Sequence, residues 1–229
     1  MNWLRPTLPE FLTERNKIPA AIVWVLVAAI MYGITNRYPL HAPQMLPMSW
    51  VDEVVPFMPH TVWIYWSNYL IFAVAYLTAK DLGNLSRYFY ASIAMQIITC
   101  VFFLLWPTTF PRSLFPIGTE LDAPTLWIFN ALRHQDTPNN CFPSQHVASV
   151  VLTSFIFLHE QIEKFPFFFA WALLISISTV TTKQHYAADV WSGFLVAFIS
   201  YLVFFHWVRY RPMRGLEIQG ARIGQVASN

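Results

Sequence analysis

The sequence predicts an all-α polytopic membrane protein, six transmembrane helices in a compact bundle. Three observations lead there. Only 11% of the 229 residues are charged and 56% are hydrophobic, against about 25% charged in a soluble domain. The acidic and basic residues are also spaced so that six intervals contain none of them: 18–36, 54–79, 88–111, 137–159, 165–182 and 190–208. Each is near or above the roughly 17–25 residues that carry a helix across about 30 Å of hydrocarbon. Finally, Lys and Arg segregate. Ten of the fourteen fall in the N-terminal segment, the loops near 80–88 and 159–165, and the C-terminal segment. The other four are Arg37, Arg112, Arg133 and Lys183. By the positive-inside bias, both termini are expected to be cytoplasmic, and the compact chain with short loops suggests a plasma (inner) membrane.

Taken in order, residues 1–17 read as a cytoplasmic segment. They form either a surface-lying helix with Trp3, Leu4, Leu8, Phe11 and Leu12 at the interface or a disordered tail. Helices are expected at about 18–35, 61–79, 89–106, 146–158, 166–182 and 189–208, making 18–208 one membrane domain. The first is a retained anchor, because its apolar run is long for a leader and Ile34-Thr35-Asn36-Arg37 offers no small-residue cleavage site. The fourth is the shortest. Residues 209–229 read as a polar cytoplasmic tail. Two long extracytoplasmic segments, about 36–60 and 107–145, remain, and the second is expected to hold a short helix near 124–133 starting at Asp122 or Ala123. Alternating apolar and polar strands of the kind that build membrane barrels are absent from the pattern.

Composition excludes several functions. A formal charge of +2 gives no footprint for nucleic acid. No phosphate-binding glycine loop or dinucleotide fingerprint is present, so no nucleotide cofactor is expected. The two cysteines, Cys100 and Cys141, fall in different surroundings and are not expected to pair.

Two polar clusters stand at the edges of apolar runs, where ionisable groups are costly and suggest function. In Pro143-Ser144-Gln145-His146, Ser144 is a good N-cap for the helix that follows. The free N–H groups of that helix start, with Ser144 and His146 beside them, would receive a phosphoryl group; a capped helix with an incidental histidine is the plainer reading. In Lys183-Gln184-His185-Tyr186-Ala187-Ala188-Asp189, the i, i+4 spacing puts His185 and Asp189 on one helix face. A carboxylate at one imidazole nitrogen frees the other as nucleophile or base. Lys183 adds a cation, and Arg112 is suited to a bidentate phosphate contact. A divalent ion on His146, His185 and Asp189 is the weighed alternative, disfavoured by the adjacent Lys183, so no metal is expected.

These residues resemble the membrane-bound type 2 phosphatidic acid phosphatase superfamily. Phe142-Pro143-Ser144-Gln145-His146 and Lys183-Gln184-His185-Tyr186-Ala187-Ala188-Asp189-Val190 carry the likeness, and within the superfamily the chain looks most similar to the branch that includes inositol phosphorylceramide synthases. The resemblance implies that His185 attacks phosphorus, Asp189 orients it, His146 protonates the leaving alcohol, and Ser144 binds phosphate oxygens, with Gln145, Lys183 and Arg112 as further substrate contacts. Departures are specific: Gln145 replaces a glycine, Ser178-Thr179 stands where the family has arginine, and Pro111-Arg112 only partly replaces a Lys-x6-Arg-Pro motif. The implied function is a metal-independent lipid phosphatase or phosphotransferase with an extracytoplasmic site. Its partner is a membrane lipid phosphate, diphosphate or phosphodiester, with inositol or a sugar as possible alcohol acceptor. The alternatives are a non-catalytic lipid-binding or transport-assisting protein of the same fold and, more distantly, an intramembrane serine protease using Ser144.

Overall fold

The computed structural model describes residues 5–118 and 120–212. Trp3, Leu4 and the tail beyond residue 212 lie outside the described residues. Nine α-helices follow one another among the described residues: α1 Lys17–Arg37, α2 Trp50–Val54, α3 Val62–Trp66, α4 Asn68–Thr78, α5 Leu82–Leu105, α6 Ala123–Gln135, α7 Gln145–Phe155, α8 Phe165–Thr181 and α9 Ala187–Tyr201. A 3-10 turn extends α7 to Leu158, and six residues of π-helix carry α9 on to Trp207. Four of these helices are long and apolar enough to cross a membrane: α1, α5, α8 with its preceding turn, and α9 with its extension.

The expected second and fourth spans are helical but short. The 61–79 segment is divided at Ser67, whose hydroxyl donates to the Ile64 carbonyl and accepts from Trp171 Nε1, so α3 and α4 meet there as two pieces. The fourth, Gln145–Leu158, is well buried, with Val147, Ala148, Val150 and Val151 all inaccessible. A helix surrounded by protein takes its apolar character from the core rather than from lipid contact.

The N-terminal segment departs from both expectations. Thr7–Glu10 is an extended strand, β1, paired in parallel with β4, Arg209–Pro212. Pro6 and Pro9 deny a helix its backbone donors, while Leu12, 3% exposed, docks on α5 and donates its N–H to Ser86 Oγ. The start of the expected C-terminal tail is thereby tied into the fold, and the segments flanking α1 and α9 lie side by side. At the opposite end a two-residue pair joins β2, Gln44–Met45, to β3, Thr108–Thr109.

The short helix in the long loop forms as expected. Asp122 caps α6, accepting from Thr125 N at 3.0 Å. The core joins α4, α5, α7, α8 and α9 through Ile71, Leu85, Val151, Ile175 and Ala197. The central pair is α7 and α9. They approach closely because residue 193 is glycine: a Cβ there would sit 2.6 Å from the Ser144 carbonyl oxygen. Both cysteines are free and buried, in keeping with the expectation that they do not pair.

Candidate active site

The two polar clusters meet where α7 and α9 begin. Ser144 is the N-cap of α7, its Oγ accepting from Val147 N at 3.3 Å. Its own N–H donates to the Asp189 carbonyl at 3.0 Å, which joins the start of α7 to the first turn of α9. The second cluster folds back on the end of α8: the N–H groups of Gln184 and His185 both donate to the Thr179 carbonyl. Lys183 turns the chain there with φ 55°, and Asn140 does the same ahead of the first cluster with φ 58°. A left-handed conformation costs a non-glycine residue about 1 kcal/mol, so the surrounding hydrogen bonds must hold Lys183 in place.

His185 is 3% exposed. Its Nδ1 faces two acceptors, the Cys141 carbonyl at 3.1 Å and Asp189 Oδ2 at 3.3 Å. Two acceptors on one nitrogen require that nitrogen to carry the proton, so Nδ1–H donates, and in the neutral imidazole Nε2 then keeps its lone pair. Asp189 is fully buried, and its Oδ2 also accepts the Tyr186 N–H at 2.8 Å, closing the N-terminus of α9. A carboxylate there is favoured by the helix dipole as well as by the imidazole. Asp189 Oδ1 has no partner among the described residues. The His146 ring lies 5.7 Å from that of His185, centroid to centroid. Its Nε2 shares a 2.8 Å hydrogen bond with the Tyr65 hydroxyl, and its Nδ1 is buried without a partner among the described residues.

The remaining expected contacts are engaged elsewhere. Lys183 Nζ donates to the carbonyls of Asp52 at 2.8 Å and Val55 at 2.6 Å, and lies 5.0 Å from the Phe115 ring centre. Burial holds its ammonium below the usual lysine value. Arg112 clasps Asp136, donating to its carbonyl and to Oδ2 at 3.2 Å; Nε stays unpartnered. Gln145 bridges to α5, accepting from Thr99 Oγ1 and donating to Gln96 Oε1. Ser144, His146, His185 and Asp189 are thus gathered together, whereas Lys183, Arg112 and Gln145 brace the shell around them.

Two supporting residues escaped the sequence reading. Asp52, 3% exposed, accepts the Ala187 N–H on Oδ1 at 2.7 Å and the Ser49 N–H and hydroxyl on Oδ2. With its carbonyl on Lys183 it fixes both sides of the His185 turn. The capping box Ser49-x-x-Asp52 was its only signal, and that marks a helix start without revealing a contact 135 residues away. Tyr65 is one aromatic residue in an apolar run, with no signal at all.

A metal would find three donor types close together, since ligand atoms of Cys141, His185 and Asp189 lie within 4.8 Å of one another. The chemistry fits poorly. The nitrogen facing that cluster is the protonated Nδ1, and burial pushes the Cys141 thiol well up, away from the thiolate a metal needs.

The sequence profile described as the PAP2 superfamily matches residues 39–203, well over half of the chain and all of this site. The chain belongs to the PAP2 superfamily. No curated protein matches it. Membership suggests a phosphatase-type function on lipid phosphates, and members are generally phosphatases or phosphotransferases.

Proposed function

We propose that this PAP2 superfamily protein is a metal-independent lipid phosphatase or phosphotransferase that works through a phosphohistidine. The observation that carries the reading is the setting of His185: its Nδ1 faces Asp189 and the Cys141 carbonyl beside His146, which in the neutral imidazole puts the proton on Nδ1 and leaves the Nε2 lone pair free. The Nε2 lone pair attacks phosphorus and the P–O bond to the lipid alcohol breaks. His146 gives its proton to the departing oxygen. Water or a second alcohol then attacks the phosphohistidine, His146 takes back a proton, and the P–N bond breaks. Asp189 stabilises the imidazolium-like His185 throughout. The N–H groups opening α7 and the Ser144 hydroxyl stabilise charge on the equatorial oxygens. Arg112 and Lys183 contribute positive potential from within their clasps, and Gln145 holds the α7 start against α5.

The finer assignments belong to the same proposal. All six apolar segments cross the membrane, α3–α4 and α7 completing the set. Both termini are cytoplasmic in the plasma membrane, and the site faces the extracytoplasmic side. The likeness to the inositol phosphorylceramide synthase branch makes transfer to inositol or a sugar the alternative fate of the phosphohistidine. One observation favours a non-catalytic lipid-binding protein: both cations near the site are engaged with protein oxygens.

The test is phosphate release by purified protein in EDTA from phosphatidic acid, an isoprenyl diphosphate and a phosphoinositol lipid, with and without inositol. Turnover is expected to persist in EDTA, to be bell-shaped in pH, and to fall by more than about 10³-fold in His185→Ala. Turnover that survives His185→Ala, or that requires a divalent ion, overturns the mechanism.

A further inference from the structure

The two ring nitrogens of His146 stand in different circumstances. Nε2 shares a 2.8 Å hydrogen bond with the Tyr65 hydroxyl, and Nδ1 is buried with no partner among the described residues. Burial strips a polar atom of water, a cost that only a hydrogen bond offsets, so a buried orphan nitrogen asks for an explanation. If His146 is to pass a proton to a substrate oxygen, one of its two nitrogens must face that oxygen. With Nε2 occupied, Nδ1 is the nitrogen left.

The surroundings of Tyr65 hold that bond in place. Tyr65 lies on α3, 81 residues before His146, and is 1% exposed. Val62, Phe129 and Leu132 pack with it, and the Asn68 side-chain amide donates to its carbonyl at 2.8 Å. The Tyr65 and His146 rings lie 4.9 Å apart, centroid to centroid, and the Tyr32 ring stands edge-on to His146 at 6.2 Å. Two aromatic neighbours therefore fix the imidazole plane, and the hydroxyl fixes its rotation. His146 is the one hydrogen-bond partner of that hydroxyl among the described residues. A phenol both donates and accepts. It donates to Nε2 when that nitrogen has its lone pair and accepts when Nε2 carries a proton, so the bond survives each change of charge.

We propose that Tyr65 is a positioning residue for proton transfer: it holds Nε2 of His146 and so commits Nδ1 to the departing oxygen. The proposal rests on the catalytic reading above and adds which nitrogen acts and what keeps it aimed. In the imidazolium both nitrogens carry protons, and Nε2–H donates to the Tyr65 oxygen. As the P–O bond breaks, the Nδ1 proton passes to the alcohol oxygen. His146 is left neutral with its proton on Nε2, still held by Tyr65. Nδ1 then takes a proton from the water or alcohol that attacks the phosphohistidine, and the cycle closes. A donor held in one orientation transfers its proton without a search for geometry.

Two arms test it on the full chain in lipid nanodiscs with Tyr65→Phe, which keeps the ring and removes only the oxygen. In the first, kcat/KM is measured on phosphatidic acid, whose alcohol needs a proton to leave, and on 4-nitrophenyl phosphate, whose phenolate leaves without one. This constant covers the steps up to loss of the alcohol, so attack by water does not enter it. The variant is expected to lose about tenfold to a hundredfold on phosphatidic acid and less than about threefold on the nitrophenyl ester. A purely structural role would lower both alike; equal losses, or none, overturn the proposal. In the second arm, spectra of protein carrying 15N-histidine are recorded at a pH low enough to charge His146, whose signals are those missing in His146→Asn. With both nitrogens protonated, the shifts report hydrogen bonding rather than tautomer. Tyr65→Phe is expected to move the Nε2 signal of His146 more than the Nδ1 signal. An unmoved Nε2 in protein that releases phosphate defeats this proposal and leaves the catalytic reading standing. A moved Nε2 in protein that releases phosphate from none of the lipids above does the reverse.

Discussion

At the scale of single residues, His185 owes its state to groups four and forty-four positions away in the chain, Asp189 and Cys141. The first is visible in the sequence as helical spacing; the second is a backbone carbonyl, which no side-chain pattern reports. Asp52 extends the same lesson. It holds the Ala187 N–H, Ser49 and, through its carbonyl, Lys183, so it acts on His185 by fixing the turn that carries it. Asp52→Asn keeps the shape but replaces an ionised acceptor of three donors with an amide. Hydrogen bonds to charged groups are worth about 1.5–3 kcal/mol. The expected result is a lower unfolding temperature and a kcat reduced by about tenfold to a hundredfold with KM nearly unchanged. A purely structural role would show the lower unfolding temperature in thermal melts with kinetics intact.

The decisive contact between elements is the crossing of α7 and α9. Gly193 allows it, since an added methyl would press 2.6 Å from the Ser144 carbonyl and 3.0 Å from Val147 Cβ. The neighbouring Ser144 N–H to Asp189 carbonyl bond depends on that approach. Gly193→Ala should push the two helix starts apart, cost about 1–3 kcal/mol in stability, and lower kcat by more than tenfold even at temperatures where the protein stays folded. Thermal melts and initial rates on one preparation separate the two effects; unchanged rates would mean that the helix starts need not touch. The loop elements tell a complementary story. Asp122 was readable as a helix start because capping is local, satisfying N–H groups within three residues. That α2 would then lie against the His185 turn was not readable, because nothing local encodes it.

For the molecule as a whole, the parallel pairing of Thr7–Glu10 with Arg209–Pro212 brings the two ends of the helical body together. From the Lys and Arg distribution, we expect this paired end to be the cytoplasmic one. Single cysteines at Thr7 and Arg211 should therefore react with an impermeant maleimide only from the cytoplasmic side, and one at Glu120 only from the other. The native Cys100 and Cys141, both buried, give little background. Labelling of Thr7→Cys and Arg211→Cys from opposite sides would refute an even number of crossings.

The sequence by itself determined the helical membrane class, most of the helical segments and the two polar clusters from which the candidate site was read. Charge exclusion over twenty-residue stretches, helix capping and i, i+4 spacing are short-range properties, set by hydrocarbon thickness and helix pitch. It misjudged residues 5–12, where prolines and a partner strand some two hundred positions away decide the conformation. Only the tertiary structure decided which polar groups face one another. It brought Ser144 to Asp189, spent Lys183 on Asp52 and Val55, tied Arg112 to Asp136, and set Tyr65 against His146. Buried polar groups must find partners wherever packing places them, and packing is a property of all the helices at once.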